Sequence, residues 1–273
     1  MDQAPTDPFR TRDHVADFDR YVAVYSSRST ESRARHASRL DVAYGDDPAE
    51  RLDLFLPPGP LKGRPVHLFI HGGYWRMFGK SDFSFIADSV VATGGIAAIM
   101  DYALMPTVRM QTIVDQVRRA AVWLVANAAE LGGDAARLSI SGHSAGAHLC
   151  CSLIDDQSPV SPTASLLLSG IYDLRPLQTS FLQPVLALTN DEVERFSPTR
   201  RSYSSNGRVE LLVGEQETAP FHRQSAELTT VLRSAGVPAS SQVLAQANHM
   251  SVVLDLGDTS TVAGRCLADL VAL

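Results

Sequence analysis

Short apolar runs alternate with longer amphipathic stretches along most of the chain. The runs have the length and aliphatic composition of strands, and the stretches between them repeat their apolar residues at helical spacing. The pattern predicts strands over Leu40–Tyr44, Arg51–Leu56, Val66–Ile70, Ile96–Met100, Leu138–Ser141, Ala164–Leu168, Val209–Val213 and Ser240–Leu244. Predicted helices cover residues 13–38, 81–93, 107–131, 145–154, 221–235 and 261–271. Alternating strands and helices indicate an α/β protein with a mostly parallel sheet of about eight strands, covered by helices on both faces.

Two stretches do not follow this alternation. Residues 1–39 form an arm with an amphipathic helix before any strand, and this helix is expected either to form part of a cap or to lie on the surface. Residues 174–206 form an irregular, proline-containing insertion. Since no linker or internal repeat interrupts the pattern, we expect residues 1–273 to form a single domain.

Composition and charge exclude several classes of partner. Hydrophobic residues make up 45% of the chain, and the net charge of −6 argues against binding nucleic acid. No apolar run is long enough to cross a membrane, and the acidic N-terminal stretch lacks the apolar core of a signal peptide. Three cysteines do not suggest a disulfide framework, so we expect a cytoplasmic protein without a membrane partner. The sequence leaves open whether the chain forms a homodimer.

A Gly-x-Ser-x-Gly motif, Gly142-His143-Ser144-Ala145-Gly146, joins the fifth predicted strand to the following helix. A strand, a sharp turn and a helix in this order form a nucleophile elbow, which holds a serine hydroxyl above the end of a sheet. The glycines are required because larger side chains would collide with the strand and the helix. We therefore predict that Ser144 is a nucleophile; the alternative is a glycine-rich turn whose serine caps a helix.

A serine hydroxyl needs a neighbouring base, and the chain has eight histidines. In enzymes with this elbow, an acid and then a histidine follow the serine along the chain, with the histidine in the loop after the last strand. His249 occupies that loop. The remaining candidates are less well placed, since His222 lies within a predicted helix, and His143 and His148 flank the elbow, where they are expected to support the turn.

The acid that orients this histidine should follow the strand Val209–Val213. Glu217 is the first candidate because the loop can turn toward His249 at that position. Glu215 in the same loop and Asp173 after the preceding strand remain alternatives, although each could be a solvated charge or a turn residue.

The negative charge that develops on an attacked carbonyl oxygen needs hydrogen-bond donors already in place. One donor should be the backbone N–H of Ala145, which follows the serine. The others are predicted to be the N–H groups of Gly72 and Gly73, where missing side chains let the backbone approach a substrate. One such donor typically contributes about 3 kcal/mol to transition-state stabilisation.

The sequence predicts neither a cofactor nor a metal. Gly79-Lys80-Ser81 resembles the end of a phosphate-binding loop, but residue 74, where the first glycine should stand, is a tyrosine. His67 and His71 are four residues apart, but they lie on a strand and lack the glutamate partner of a helical zinc motif.

Six segments together resemble the kynurenine formamidases (arylformamidases), which belong with the hormone-sensitive-lipase-like esterases to the α/β-hydrolase superfamily. The segments are His71–Trp75, Val114–Val117, Gly142–Leu149, Ser169–Leu174, Phe196–Pro198 and Phe221–Ser225. The resemblance implies an α/β-hydrolase fold with a small cap or insertion. It also implies hydrolysis of an N-formyl arylamine such as N-formyl-kynurenine without a cofactor. In that family the acid is usually aspartate, whereas this chain has Glu217 at the matching place.

The resemblance also suggests which residues form the walls of the substrate pocket. The candidates are Tyr74, Trp75, Tyr102, Phe181 and Phe196. Two other functions remain open: a carboxylesterase for short acyl esters, which would use the same residues, and a non-catalytic binding protein with this fold.

Overall fold

A computed structural model of the chain describes residues 6–273. Residues 1–5 of the predicted arm lie outside the described residues. Within the described part, no helix has both the length and the apolar composition needed to cross a bilayer.

One eight-stranded sheet organises the molecule, which confirms the predicted α/β fold class. Its strands are β1 (Ala37–Ala43), β2 (Arg51–Leu56), β3 (Arg64–Ile70), β4 (Ile96–Met100), β5 (Gly133–His143), β6 (Ala164–Leu168), β7 (Arg208–Gly214) and β8 (Ala239–Leu244). The spatial order is β1-β2-β4-β3-β5-β6-β7-β8. Only the pairs β1–β2 and β2–β4 are antiparallel. The carboxyl ends of β3 and β5 to β8 therefore meet at one edge of the sheet, where ligands bind in open α/β proteins.

Helices and short turns connect the strands. The α-helices are α1 (Phe18–Arg35), α2 (Ala87–Ala92), α3 (Met110–Asn127), α4 (Ala145–Cys150), α5 (Gln183–Leu186), α6 (Asn190–Phe196), α7 (Ala219–Ser234), α8 (Ser251–Leu254) and α9 (Val262–Ala272). The helix predicted over residues 81–93 begins instead as two 3₁₀ turns before α2. Its first turn is fixed by Asp82, which accepts a hydrogen bond from the N–H of Gly79, and by Asp101, which accepts one from the N–H of Lys80.

The two faces of the sheet bury separate apolar cores. Leu68 and Ile70 of β3 join the core that contains α3 and α4. Phe69, between them, points to the opposite core, which contains α1, α2 and α9. Because both faces of the central strands are buried, strands such as β3, β4 and β6 read as nearly continuous apolar runs, and the loops at the carboxyl edge are held on a rigid base.

Candidate active site

Ser144 lies at the sharp turn between β5 and α4, in the geometry expected of a nucleophile elbow. Its backbone torsions are φ 55° and ψ −116°, a region that residues with side chains rarely adopt. A Cβ atom on Gly142 would lie 2.5 Å from the backbone of Gly146, and one on Gly146 would collide with the carbonyl oxygen of Ile70. The glycines therefore let the turn close tightly against β3, while Ser144 remains at the carboxyl edge of the sheet.

His249 lies in the loop after β8 and is hydrogen-bonded to Glu217. The Nδ1–H group of His249 donates to Oε2 of Glu217 at 2.7 Å, and the Glu217 side chain is fully buried. Since Nδ1 carries the proton, Nε2 is left as the acceptor nitrogen of the neutral ring. This is the arrangement that a general base needs.

The other two candidate acids have different contacts. Glu215 is exposed and accepts a hydrogen bond from the N–H of Gln246 at 2.8 Å. Asp173 accepts one from the N–H of Arg175 at 3.0 Å, which closes a local turn. Of the three carboxylates, the structure brings Glu217 to the imidazole.

Gly72 and Gly73 follow β3 and lie beside the elbow. A Cβ atom on Gly72 would lie 3.2 Å from the Cβ of Ser144 and 2.8 Å from the carbonyl oxygen of His143. Gly73 has a φ of +107°, and its carbonyl oxygen accepts hydrogen bonds from the N–H groups of Arg76 and Met77, both at 3.0 Å. These contacts orient the loop so that its backbone passes close to the serine.

His71 fixes the peptide unit between the two glycines. Its Nδ1–H group donates to the carbonyl oxygen of Gly72 at 2.7 Å, and its ring stacks on Tyr102 at a centroid distance of 4.3 Å. Burial lowers the pKa of His71 to about 4, so the ring is neutral near pH 7. Because C=O and N–H point in opposite directions in a trans peptide, this bond also sets the direction of the Gly73 N–H.

Ser144, His249 and Gly73 line one small pocket. Its open volume is about 30 Å³. Thr11, Phe18 and Tyr25 of the N-terminal arm complete its wall, which places the arm over the site. Among the described residues, the His249 ring is hydrogen-bonded to Glu217 and not to the Ser144 hydroxyl. In unliganded sites such a contact is often long and tightens on binding.

The five aromatic residues suggested for the pocket wall occupy different places. Tyr74 lines the pocket. The Phe181 ring packs edge-on against the Tyr74 ring at a centroid distance of 5.5 Å. Trp75 is buried and donates to Nδ1 of His148 at 3.2 Å. Tyr102 and Phe196, like Trp75 and Phe181, are not among the residues that line this pocket. The Tyr102 hydroxyl donates to the carbonyl oxygen of His71 at 2.9 Å, and the carbonyl oxygen of Phe196 accepts from Nε2 of His148 at 2.8 Å. The structure thus brings Tyr74 to the pocket and buries Trp75, Tyr102 and Phe196 in one of the two apolar cores.

His143, within the elbow, makes a contact that the sequence does not reveal. Its Nε2–H group donates to the carbonyl oxygen of His249 at 2.9 Å, and the two rings are 4.6 Å apart. Burial, followed by the neighbouring His249, lowers the pKa of His143 well below its usual range. A neutral His143 therefore ties the elbow to the loop that carries His249.

Comparisons with known proteins agree with this fold. A family model described as BD-FAE matches residues 52–154, which include the glycine loop and the elbow. The chain is 29% identical to a kynurenine formamidase of Danio rerio, over 92% of this chain and 88% of that protein. It is also 31% identical to an isoprenylcysteine alpha-carbonyl methylesterase of Arabidopsis thaliana, over 52% of this chain and 36% of that protein.

A solved structure covers nearly the whole chain. It is a candidate thioesterase from Silicibacter sp. TM1040, with a TM-score of 0.85 and 26% identity, and the match covers 97% of this chain and 98% of that one. The chain is thus a serine hydrolase of the α/β-hydrolase superfamily, and it resembles kynurenine formamidases over most of its length.

Proposed function

We propose that the chain hydrolyses N-formyl arylamines such as N-formyl-kynurenine to the aryl amine and formate. The observation that carries the proposal is the pocket in which Ser144, His249 and Gly73 meet, with Glu217 hydrogen-bonded to His249. The likeness to kynurenine formamidases supports the choice of substrate.

In the first half of the reaction, Nε2 of His249 takes the proton of the Ser144 hydroxyl, and Oγ attacks the formyl carbon. The carbonyl oxygen becomes negatively charged and accepts hydrogen bonds from the N–H groups of Gly72, Gly73 and Ala145. Glu217 stabilises the imidazolium formed on His249. The imidazolium then gives its proton to the aryl amine as the C–N bond breaks, which leaves a formyl ester on Ser144.

The second half repeats these steps with water. His249 takes a proton from a water molecule, whose oxygen attacks the formyl ester. As the tetrahedral intermediate collapses, His249 returns the proton to the oxygen of Ser144 and formate leaves. Ala145 suits the donor role in both halves because it is the first residue of α4, and its N–H has no partner within the helix.

The size of the pocket also favours a formyl group. A formyl carbon carries only a hydrogen on its acyl side, so a space of about 30 Å³ suffices next to Ser144. Longer acyl chains would extend toward the arm and the Tyr74 side chain, which line the same pocket. We therefore expect activity to decrease as the acyl group becomes larger.

A short-acyl carboxylesterase is the second candidate, and the partial likeness to a methylesterase favours it. It would use the same nucleophile, base and donors, so only the choice of substrate separates the two. In either case we expect a protein of a reducing compartment such as the cytoplasm, since Cys150, Cys151 and Cys266 are all free thiols.

The deciding experiment compares kcat/KM for N-formyl-kynurenine and for p-nitrophenyl acetate with one preparation of purified protein. The proposal expects the larger value for the formamide, and Ser144→Ala as control should be inactive on both. A much larger value for the ester would replace the formamidase by the carboxylesterase. Failure of a fluorophosphonate to label Ser144 would instead indicate a binding protein without catalytic activity.

A further inference from the structure

Ser169 is a buried serine directly after β6 with an unusual backbone conformation. Its φ is +50°, in the left-handed region that favours glycine, and its side chain is fully buried. Its N–H still donates to the carbonyl oxygen of Leu212 in β7 at 2.8 Å, so the sheet pairing continues up to this residue. A residue with a side chain is held in this conformation only where its surroundings require it.

The conformation directs the Ser169 hydroxyl at Glu217. The hydroxyl donates to Oε1 of the carboxylate, and the N–H of Gly214 donates to the same oxygen at 2.7 Å. The second oxygen, Oε2, accepts from His249 at 2.7 Å. The two carboxylate oxygens are thus divided, one held by Ser169 and Gly214 and the other by the imidazole.

We infer that Ser169 is a positioning residue that holds Glu217 in the rotamer needed to orient His249. The inference rests on the proposed function, in which His249 is the base. A glutamate has one more rotatable bond than the aspartate usual in the resembling family, so its carboxylate has more orientations to lose. A donor on each side of Oε1 removes that freedom and leaves Oε2 facing Nδ1 of His249.

Loss of the Ser169 hydroxyl should lower kcat and leave KM nearly unchanged. Without the hydroxyl, Oε1 keeps only the Gly214 donor, and the carboxylate can rotate away from the imidazole. We expect Ser169→Ala to lower kcat by about 10- to 100-fold, the usual loss when a supporting partner of a functional group is removed. KM should change by less than about twofold, because Ser169 does not line the pocket.

A second variant separates the hydroxyl from the backbone strain. Ser169→Gly also removes the hydroxyl, but glycine adopts a φ of +50° without steric cost. If the hydroxyl positions Glu217, both variants lose the same activity although the glycine variant folds without strain. If residue 169 matters only because its backbone must adopt a φ of +50°, the glycine variant keeps the activity of the original chain. That result would overturn the inference. Ser165→Ala is the matched control and should keep full activity, because Ser165 is a buried serine within β6, the strand that ends directly before Ser169.

The decisive measurement is a double-mutant cycle read as the rate at which a fluorophosphonate labels Ser144. Ser169→Ala should slow labelling about 10-fold or more in the original chain but less than about twofold in a Glu217→Gln background, because it acts through the carboxylate. Equal effects in the two backgrounds would contradict the inference. Labelling requires no formamide turnover, so a failure of the proposed substrate in the kcat/KM comparison is distinguishable from a failure of this role for Ser169.

The His249 Nδ1 proton offers a spectroscopic check. In the original chain this proton should give a low-field ¹H NMR resonance, because it is shared with a fixed carboxylate at 2.7 Å. In Ser169→Ala and Ser169→Gly the resonance should broaden or move upfield, while in Ser165→Ala it should stay in place. A resonance unchanged in all three variants would show that Glu217 keeps its position without Ser169.

Discussion

Three histidine side chains, those of His71, His143 and His249, belong to the loops and the elbow around Ser144. Each has a different hydrogen-bond partner and therefore a different role. His71 donates to the carbonyl oxygen of Gly72, and His143 donates to the carbonyl oxygen of His249. Burial keeps both rings neutral, since it lowers the pKa of each. His249 differs because its Nδ1–H is held by the carboxylate of Glu217, which leaves Nε2 as the acceptor nitrogen of the ring.

Removal of the nucleophile or the base should abolish turnover. Ser144→Ala and His249→Ala are each expected to lower kcat by at least about 10³-fold. The attack requires the Ser144 hydroxyl, and the hydroxyl is a weak nucleophile unless His249 takes its proton. The double variant should lose little more than either single variant. Circular dichroism serves as the control for folding, and a double loss equal to the product of the single losses would mean that the two residues act independently.

Glu217 should matter less than the base but far more than its neighbour. Glu217→Gln is expected to lower kcat by about 10²- to 10⁴-fold, because an amide can hold the ring in the wrong tautomer and does not stabilise the imidazolium. Glu215→Gln, in the same loop, is the matched control and should stay within about twofold, since the exposed Glu215 carboxylate accepts its hydrogen bond from the N–H of Gln246 and not from His249. Near-normal activity of Glu217→Gln would remove it from the acid role.

At the scale of elements, the parts of the site that were predictable are those encoded by local constraints. The elbow follows from glycines at 142 and 146, and the positions of Glu217 and His249 follow from the order of strands. The burial of Trp75 in the core, away from the pocket lining, was not predictable, because it depends on a hydrogen bond to His148, which lies 73 residues away in the chain. The contact between Ser169 and Glu217 is likewise formed across 48 residues and has no local signal beyond the strand end.

The N-terminal arm is the element whose role depends most on such distant contacts. The sequence predicted an amphipathic helix that would either cap the domain or lie on the surface. In the structure, the Tyr74 hydroxyl donates to the carbonyl oxygen of Phe9 at 2.7 Å and accepts from the N–H of Thr11 at 3.1 Å. Tyr25 of α1 donates to the carbonyl oxygen of Met250 at 2.6 Å, next to His249. The arm is therefore fastened to two of the loops that form the site.

Tyr74→Phe should loosen the arm without removing an aromatic wall. The lost hydrogen bonds contribute about 0.5 to 1.5 kcal/mol each, so thermal stability should fall and KM should rise several-fold, with kcat changed less. Steady-state kinetics and a melting curve measure the two effects. Tyr203→Phe is the matched control, because that buried tyrosine also donates to a carbonyl oxygen, that of Pro198, but does not line the pocket. An unchanged KM would mean that the arm does not shape the site.

On the scale of the whole molecule, the sheet and its two cores keep several histidines out of water. His67 is fully buried in β3, with its ring nitrogens bonded to the hydroxyls of Ser139 and Ser141 at 2.9 and 2.7 Å. Burial lowers the pKa of His67 to about 3 and that of His148, in α4, to about 4. Together with His71 and His143, these histidines link the stability of the fold to pH.

The direction of the pH dependence is set by the number of protons that the unfolded and the folded chain bind at these histidines. Between about pH 4 and the ordinary histidine pKa of about 6.5, the unfolded chain binds protons at these positions and the folded chain does not, so stability decreases as the pH falls. We expect the free energy of unfolding to be roughly 4 kcal/mol lower at pH 5.5 than at pH 7, about 1 kcal/mol for each of the four rings. Buried carboxyls with raised pKa values, such as Asp101 and Asp155, act in the opposite direction, and measurement above pH 5.5 limits their effect.

Urea titrations at pH 7 and pH 5.5 measure this difference in the free energy of unfolding. His67→Gln should reduce the pH-dependent loss by about 1 kcal/mol whatever it does to stability at pH 7, because it removes one ring that must stay neutral when buried. His14→Asn is the control, since His14 is exposed on the arm and its replacement should leave the loss unchanged. Equal free energies at the two pH values would mean that the buried rings take up protons without unfolding, which requires water or a carboxylate to reach them. His67 is the most stringent case, because its two ring nitrogens face only serine hydroxyls inside the sheet.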